Sequence, residues 1–382
     1  MRFEFATAGS ILFGEGRAAD VGGIAAALGR RALLVRGRGD HAADCIGGMR
    51  EMGLVAAEFR AAGEPRVADA MEAVRVARDQ DCDLVVGVGG GSTIDLGKAV
   101  AALLTNPGPP TRYLEVVGDG EPLGTPPAPF VAVPTTAGTG AEVTRNAVLG
   151  VPEEGVKVSL RSPLMLPTVA VVDPLLTHSM PPEVTASTGL DALTQCIEPF
   201  VGAEANPLTD GIAREGIRAA AASLRRAYHA GDREARVDMS IASLCGGLAL
   251  ANARLGAVHG IAGPLGGLLP VPHGVACGRL LAPVMETNIR ALRDRAPGAP
   301  ALSRFAEVAR LLTGRPEARP EEGVAWVRAL VEELRLSSLR DYGLDEAVTA
   351  KVVPRALRAS SMRGNPLRLS GAELTEILHA AG

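Results

Sequence analysis

The sequence predicts an α/β domain over residues 1–180, followed by an all-helical domain over residues 181–382. The first half alternates short aliphatic runs with amphipathic helical stretches, which is typical of a doubly wound parallel sheet. After Met180-Pro181-Pro182 the strand pattern nearly disappears, and a double proline continues neither a helix nor a central strand. A chain of 382 residues also favours about two domains.

Four near-continuous aliphatic runs are the predicted central strands: Ala32–Val35, Leu84–Val88, Phe130–Val133 and Val169–Val172. Such runs suit strands that are buried on both faces of a sheet. Between two of them, Val67–Asp79 has apolar residues at helical spacing and predicts a covering helix. In the second half, the Ala-rich stretches Ile212–Tyr228 and Val324–Leu334 predict successive helices.

The composition excludes several classes of protein. With 47% hydrophobic and 21% charged residues, the chain can form large cores and is not disordered. An aromatic content of 3% and a net charge of -4 argue against a nucleic-acid partner. The first ten residues lack the pattern of a signal peptide, and five scattered cysteines without CxxC spacing are typical of reduced core thiols. We therefore expect a cytoplasmic protein.

The stretch between Arg254 and Arg279 contains no residue with a fixed charge and is long enough to span a bilayer. However, it is rich in glycine, is broken by three prolines, and contains His259 and His273. A helix facing lipid would have to satisfy these polar groups within hydrocarbon. We therefore expect a buried helical segment around a polar site, and no membrane partner.

The segment from Gly87 to Ser92 (GVGGGS) follows a predicted strand and precedes a predicted helix. Glycines allow the backbone to approach a pyrophosphate, and free amides with the helix dipole supply positive potential. This is not the usual GxGxxG fingerprint, because the triple glycine directly precedes the helix. The alternative is an ordinary strand-to-helix turn in which Ser92 caps the helix and Asp95 completes a capping box.

A second turn, Pro134–Glu142 (PTTAGTGAE), also follows a predicted strand and offers three hydroxyl groups among glycines. The alternative is again structural, since Thr139 and Glu142 have the spacing of a capping box. Two turns of this kind, at the ends of two strands, favour a ligand site, because open α/β sheets bind ligands at those strand ends.

A candidate metal site combines two distant parts of the sequence. Asp191 and Gln195 are four residues apart and therefore share one face of a helix. His259 and His273 both occur in the uncharged stretch. One carboxylate with two imidazoles suits Zn²⁺ or Fe²⁺ and leaves a position open for substrate. The alternatives are a capping box of Thr188 with Asp191 and histidines that serve only as hydrogen-bonded core residues.

Taken in order, these motifs resemble the iron-containing (group III) alcohol dehydrogenase family. The matching segments are GGGSTIDLGK (89–98), PTTAGTGAEVT (134–144), TGLDAL (188–193), GAVHG through PHG (256–274), and Gly364-Asn365-Pro366 before the last helix. The resemblance implies a dehydroquinate synthase-like architecture, with a dinucleotide-binding first domain, a metal-binding helical second domain and the active site in the cleft. It also implies a homodimer or higher homo-oligomer.

The resemblance further implies roles for individual residues. Pyrophosphate would be bound by Gly90, Gly91 and Ser92, and the adenosine and diphosphate side would be lined by Thr135, Thr136 and Thr139. Lys157 would lie near the nicotinamide ribose. Asp191, His259 and His273 match the metal ligands and are the expected catalytic residues.

Three positions depart from the family pattern. Gln195 replaces a third histidine ligand; its amide oxygen is a weaker donor, so we keep it as a candidate ligand and expect zinc as readily as iron. Gly263 replaces a histidine that often joins a proton path, so that path must differ. Gly37 replaces the aspartate that accepts the ribose hydroxyls of NAD.

The expected cofactor is NAD(P), with a slight preference for NADP. Gly37 removes a carboxylate that would repel a 2′-phosphate, and Arg36 and Arg38 flank it as candidate phosphate partners. Alternatively, both arginines merely cover the surface. Against NADP, Glu64 occupies a position where the family often has an asparagine that contacts the ribose; its carboxylate could accept the hydroxyls of NAD or point to solvent.

These observations predict a metal-dependent alcohol dehydrogenase or aldehyde reductase that transfers hydride between NAD(P) and a small alcohol or aldehyde. One alternative is a metal-independent enzyme resembling maleylacetate reductase, although the presence of Asp191 with both histidines argues against it. An alternative of another class is a catalytically inactive nucleotide-binding protein, which only Gln195 and Gly263 suggest.

Overall fold

The computed structural model describes residues 2–37, 39 and 43–382. These residues form two compact units. The α/β unit comprises Ala6–Thr136 and Gly140–Ser179, and the helical unit comprises mainly Met180–Gly382 together with the short segment Ala137–Thr139.

The α/β unit is built on a six-stranded sheet whose neighbouring strands are all parallel. Its strands are β1 (Ser10–Phe13), β2 (Ala32–Arg36), β3 (Val55–Arg60), β4 (Leu84–Gly89), β5 (Phe130–Pro134) and β8 (Val169–Val172), and a separate antiparallel hairpin comprises β6 (Asn146–Val151) and β7 (Val156–Arg161). The sheet order is β1-β8-β5-β4-β2-β3. The chain therefore reverses its direction of travel across the sheet between β2 and β4.

Helices cover both faces of this sheet and create two separate cores. The helices of this unit are α1 (Val21–Leu28), α2 (Ala43–Glu51), α3 (Val67–Asp79) and α4 (Gly91–Thr105). In β2, Leu33 and Val35 pack in the core that contains α3 and α4, whereas Ala32 and Leu34 pack in the core that contains α1 and α2. Because strand side chains alternate between faces, a strand between two cores must be apolar at every position.

Four strands of the α/β unit were not predicted. The edge strands β1 and β3 are only half-buried, so their sequences lack the continuous aliphatic run of a central strand. The hairpin strands β6 and β7 mix polar, charged and apolar residues. Their turn includes Gly155 in the left-handed region at φ 59°, a conformation that glycine adopts without steric cost.

The helical unit consists of α5 (Pro182–Val201), α6 (Pro207–His229), α7 (Arg233–Ala253), α8 (Ala257–Leu268), α9 (His273–Arg295), α10 (Pro300–Thr313), α11 (Pro320–Glu333), α12 (Glu346–Ala356) and α13 (Gly371–Ala381). Helix α5 packs against α6, α7 and α9, and every residue from Gly189 to Val201 is buried. A parallel α/β sheet followed by a helical region confirms the predicted fold class.

The uncharged stretch forms α8 and the first turns of α9, and α8 is buried over residues 257–262. Within the described ranges, no single helix has the length and hydropathy needed to span a membrane. The adjacent helices α7 and α8 meet those criteria only when taken together, and they are bent by 99° relative to each other.

Candidate functional site

Most of the residues predicted to bind the dinucleotide follow the carboxyl ends of three neighbouring strands, whereas Lys157 lies in β7 of the hairpin. Gly37 follows β2, and its amide donates a hydrogen bond to the Val88 carbonyl of β4 (3.0 Å). Thr135 follows Pro134, the last residue of β5, and donates to the Gly89 carbonyl of β4 (2.9 Å). The structure thus places the ends of β2, β4 and β5 side by side, at the point where the strand order reverses. Open α/β sheets bind ligands at this kind of position.

Helix α4 begins in the triple glycine, with Gly90 as its N-cap. No side chain caps this end among the described residues, so its first amides remain available to an anion. Ser92 lies inside the first turn, and Asp95 accepts a hydrogen bond from the Val148 amide (3.0 Å) instead. The alternative in which Ser92 and Asp95 form a capping box is therefore wrong.

The second turn approaches the first through Thr136. A Cβ atom at Gly90 would lie 3.3 Å from the Thr136 hydroxyl oxygen, so the two predicted phosphate-binding turns are in close contact. The N-cap of the short 3₁₀ helix Ala141–Val143 is Gly140 and not Thr139, so the spacing of Thr139 and Glu142 does not mark the start of this helix.

Glu142 is instead part of a buried polar group with Lys98. Burial raises the pKa of the Glu142 carboxyl to about 7, although its own backbone amide and Lys98 act in the opposite direction. The Lys98 ammonium donates to the Thr144 hydroxyl (2.8 Å) and lies 3.1 Å from an oxygen of Asp95. These contacts connect α4 to the chain that follows the second turn, and they give Lys98 a structural role.

The charged residues considered for cofactor selection have protein partners. Arg36 donates from Nε to Glu58 of β3 (3.1 Å), and Arg50 also contacts that carboxylate. Glu64 forms an ion pair with Lys157 of β7, with Nζ–O distances of 2.7 and 2.6 Å. Arg38, the second candidate phosphate partner, lies outside the described residues.

Helix α5 carries buried polar side chains on one face, among them Asp191, Gln195 and Glu198. Oδ1 of Asp191 and Oε1 of Gln195 have no hydrogen-bond partner within the part of the chain that the structure describes. Leaving a buried acceptor unpaired costs about 1–3 kcal/mol, and a cation beside Asp191 would offset that cost. The capping box of Thr188 with Asp191 is wrong, because α5 begins at Pro182 and both residues are interior.

His259 lies in the first turn of α8, and the start of this helix is fixed by two side chains. The Glu198 carboxylate accepts the Val258 amide (2.6 Å), and the Asn365 side chain accepts the Ala257 amide (3.1 Å). The other carboxylate oxygen of Glu198 is hydrogen-bonded to Nδ1 of His259 (2.6 Å). A carboxylate at Nδ1 orients the ring and leaves Nε2 as the donor for a metal.

His273 is the first residue of α9, and the next residue explains how this helix approaches α5. A Cβ atom at Gly274 would lie 2.3 Å from the Ser187 carbonyl oxygen, so only glycine permits this close approach. The approach brings His273 and Cys277, which is one turn later on α9, next to Asp191.

The predicted ligands converge in the structure. One donor atom from each of Asp191, His259, His273 and Cys277 lies within 4.8 Å of the other three. Asp191 Oδ1 is 3.4 Å from His259 Nε2 and 3.8 Å from His273 Nε2. These separations match donors around a common centre about 2 Å from each donor. The residues therefore fit a divalent metal.

The electrostatics of this cluster favour a cation. The Cys277 sulfur and the Asp191 carboxylate, acting against burial, raise the pKa of His273 to about 9. Burial lowers the pKa of His259, but Cys277, Asp191 and Glu198 outweigh it and raise that pKa well above its ordinary value. Burial also opposes ionisation of Asp191, yet the two imidazoles hold its pKa below the ordinary value. The acidic groups thus stabilise positive charge among them.

Two residues of this cluster were not predicted from the sequence. Glu198 is seven residues after Asp191 and three after Gln195, so helical spacing places it on the same face of α5. Cys277 is four residues after His273 and shares its face of α9. However, the scattered spacing of the five cysteines predicts ordinary core thiols. The glycine at 263 faces open space, since a Cβ atom there would meet no heavy atom within 4 Å.

Comparison with known proteins agrees with this arrangement. The iron-containing alcohol dehydrogenase family matches residues 8–174, and the C-terminal domain of the same family matches residues 185–382. The chain is 36% identical to 1,3-propanediol dehydrogenase of Klebsiella pneumoniae over 367 residues, which cover 92% of each protein. It is 37% identical to 4-hydroxybutyrate dehydrogenase of Cupriavidus necator over 359 residues, which cover 91% of each.

Solved structures lead to the same conclusion. The crystal structure of a 1,3-propanediol oxidoreductase superposes with a TM-score of 0.92 at 34% identity and covers 100% of both chains. Sulfoacetaldehyde reductase from Bifidobacterium kashiwanohense, solved in complex with NAD⁺, gives 0.87 at 30% identity and covers 99% of this chain and 98% of its own. These matches confirm the dehydroquinate synthase-like architecture and the predicted activity of an NAD(P)-dependent alcohol dehydrogenase. The chain belongs to the iron-containing alcohol dehydrogenase family.

Proposed function

We propose that Asp191, His259 and His273 would hold the catalytic divalent metal of an enzyme that transfers hydride between NAD(P) and a small alcohol or aldehyde. The observation that carries this proposal is the convergence of two imidazole nitrogens, of His259 and His273, on the buried Oδ1 of Asp191, which has no hydrogen-bond partner among the described residues. A divalent cation there supplies the positive charge that favours the ionised alcohol in one direction and the polarised carbonyl in the other.

The residues around the proposed ligands keep the donors in place. Asp191 supplies negative charge from a buried position on α5, which packs against neighbouring helices on several sides. Glu198 holds the His259 ring through Nδ1 and also fixes the start of α8. His273 is the most exposed of the three proposed ligands, with a side chain that is 39% exposed, so we place substrate access on its side of the cluster.

The metal is proposed to be iron or zinc, and Gln195 is proposed as a weak ligand. Both metals accept imidazole and carboxylate donors. The amide oxygen of Gln195 is buried and has no partner within the described ranges, yet it is neutral and a poorer donor than the imidazole that the family usually has there.

The weakness of Gln195 as a ligand gives a prediction. We expect Gln195→Ala to keep most of the metal, because the charged carboxylate and the imidazoles remain. We expect Gln195→His to bind metal more tightly than the parent protein, since imidazole is the better donor. Metal content after dialysis against graded chelator concentrations measures both effects. A metal-free Gln195→Ala protein would show that this amide is an essential ligand.

We propose that the α/β unit binds NAD(P) at the adjacent ends of β2, β4 and β5. Gly37, Gly90, Gly91, Ser92, Thr135 and Thr136 supply backbone and hydroxyl groups there, and by resemblance Thr139 and Lys157 complete the binding residues. The uncapped start of α4 supports this proposal, because a helix N-terminus attracts pyrophosphate.

The proposed cofactor use is dual, with a slight preference for NADP. Gly37 presents no carboxylate to a 2′-phosphate. The ion pair with Lys157 weakens the argument that Glu64 favours NAD by accepting ribose hydroxyls. The contact of Arg36 with Glu58 reduces the positive charge that this arginine offers to a phosphate, so the proposed preference is small.

We also propose that the protein is cytoplasmic and forms a homo-oligomer. Cys45, Cys82, Cys196, Cys245 and Cys277 are free thiols in the structure, which fits the reducing environment of the cytoplasm. The family resemblance supports a homodimer or a higher homo-oligomer.

The experiment that tests the proposed function combines metal analysis with turnover. We expect the purified protein to contain about one divalent metal per chain and to oxidise or reduce members of a panel of small alcohols and aldehydes. Chelation should abolish turnover, and iron or zinc should restore it. Full turnover without metal would favour a reductase resembling maleylacetate reductase, whereas no turnover with NADH or NADPH would favour an inactive nucleotide-binding protein.

A further inference from the structure

Cys277 occupies a position in the cluster that neither the family motif nor the predicted ligand set assigns. It lies one turn after His273 on α9 and is fully buried. Its Sγ is 3.6 Å from His273 Nε2 and 3.7 Å from His259 Nε2. These are the same two nitrogen atoms that face Asp191.

Four of the six separations between these atoms fit tetrahedral coordination, and the other two are within 4.8 Å. With metal–nitrogen and metal–oxygen bonds of about 2.05 Å and a metal–sulfur bond of about 2.3 Å, tetrahedral angles place sulfur about 3.6 Å from nitrogen and oxygen about 3.4 Å from nitrogen. The two sulfur–nitrogen separations are 3.6 and 3.7 Å, and the two oxygen–nitrogen separations are 3.4 and 3.8 Å. The Cys277 sulfur is within hydrogen-bonding distance of both imidazoles, so a bound metal would replace these hydrogen bonds with coordination.

A second observation points to a ligand at this place. The Asp191 Oδ1 atom is buried and unpartnered in the described part of the chain, and it belongs to the same four-atom group as the Cys277 sulfur. Gln195, which stands where the family has a third histidine, contributes only a neutral amide oxygen. The site therefore contains a strong donor, the Cys277 sulfur, that the sequence did not predict. It lacks the third histidine that the family usually has.

We propose that the Cys277 thiolate is the fourth strong metal ligand of this enzyme and replaces the imidazole that Gln195 lacks. The substrate oxygen would then be a fifth ligand, an expansion that catalytic zinc sites allow. The inference deepens the proposed function, because it depends on a metal at Asp191, His259 and His273. When the bond forms, the thiol loses its proton to solvent and the sulfur lone pair binds the metal, with no change in oxidation state.

The main consequence is a change in metal selectivity. A thiolate is a soft donor that favours Zn²⁺ over hard cations such as Mg²⁺ and Mn²⁺. Replacing a neutral imidazole by an anionic sulfur also adds a negative charge, which strengthens binding of a divalent cation. Between the two candidate metals, Cys277 therefore shifts the preference of this chain towards zinc.

The test uses X-ray absorption spectroscopy on the zinc-loaded enzyme, which reports the atoms bound to the metal independently of activity. We expect one sulfur at about 2.3 Å together with nitrogen and oxygen at about 2.0–2.2 Å. Cys277→Ser should lose the sulfur signal and bind zinc at least roughly tenfold more weakly, since even outer-sphere partners of a metal contribute 10–100-fold. Cys245→Ser, in α7 of the same unit and outside the cluster, should keep both properties.

The absorption spectrum of the parent enzyme decides whether the Cys277 thiolate binds the metal. A parent enzyme whose zinc has only nitrogen and oxygen neighbours overturns it while leaving the metal centre of Asp191, His259 and His273 intact. A parent enzyme that binds no zinc, iron or cobalt overturns both this inference and the proposed function. Because the first measurement needs no substitution, a Cys277→Ser protein that does not fold leaves the test valid.

Discussion

Replacing His273 with alanine is expected to remove the metal and to lower kcat/KM by at least about a thousandfold. The imidazole is one of three nitrogen or oxygen donors that converge in the helical unit, and its Nε2 lies 3.8 Å from Asp191 Oδ1. Without the metal, several kcal/mol of charge stabilisation disappear, and about 1.4 kcal/mol corresponds to each tenfold loss in rate. Metal analysis and steady-state kinetics of the purified variant measure both losses.

The fold should survive this substitution. The His273 side chain is 39% exposed, so its loss removes little apolar burial, and His273 is only the first residue of α9. We expect the melting temperatures of the variant and the parent to be similar when both are measured with chelator present. His229→Ala is the matched control, because this histidine of α6 is also partly exposed and contacts Glu333 outside the cluster. A His273→Ala enzyme with full metal content and activity would refute the metal mechanism.

The elements that the sequence predicted correctly are those whose physical environment determines their composition. The central strands lie between two cores, so each has a near-continuous apolar run, as in Leu84–Val88. The edge strands β1 and β3 are partly exposed, and a short strand with one polar face cannot be distinguished locally from a loop. The helix α3 was predicted over its full length, Val67–Asp79, because one face is buried and the other is charged.

Capping boxes were misjudged because the spacing of a hydroxyl residue and an acid three positions later also occurs within helices. Thr188 and Asp191 have that spacing, but both lie in the second and third turns of α5. Ser92 precedes Asp95 by the same interval, yet the helix starts earlier, at the glycines. The start of a helix depends on where its first turn can pack, which a spacing of three residues does not encode.

The metal cluster shows a different limit of prediction from the sequence. His259 and His273 were predicted because two histidines in an uncharged stretch are unusual, and Asp191 because it shares a helix face with Gln195 and matches the family motif. Cys277 was missed because a cysteine in an apolar helix is ordinarily part of a core. Only the tertiary approach of α9 to α5, which Gly274 permits, shows that this thiol faces the same point as the imidazoles.

Replacing Gly37 with aspartate is expected to shift the ratio of kcat/KM for NADH to that for NADPH by about 100-fold in favour of NADH, roughly 2.7 kcal/mol. A carboxylate after β2 accepts the ribose hydroxyls of NAD and repels a 2′-phosphate. The new side chain should fit, because a Cβ atom at this position would lie 3.5 Å from the Thr93 hydroxyl oxygen and 3.8 Å from Gly89 Cα. Steady-state kinetics with both cofactors measure the change.

Gly37→Asn is the matched control, because asparagine has the size of aspartate and lacks its charge. If the 2′-phosphate lies near Gly37, the aspartate variant should discriminate against NADPH much more strongly than the asparagine variant. Equal effects of the two substitutions would indicate a steric cause, and no effect of either would place the adenosine elsewhere on the α/β unit. The parent enzyme is itself informative: a preference for NADH above about tenfold, roughly 1.4 kcal/mol, would show that the arginines flanking Gly37 do not bind a phosphate. Arg36 would then fail to bind a phosphate because its positive charge is already paired with the Glu58 carboxylate.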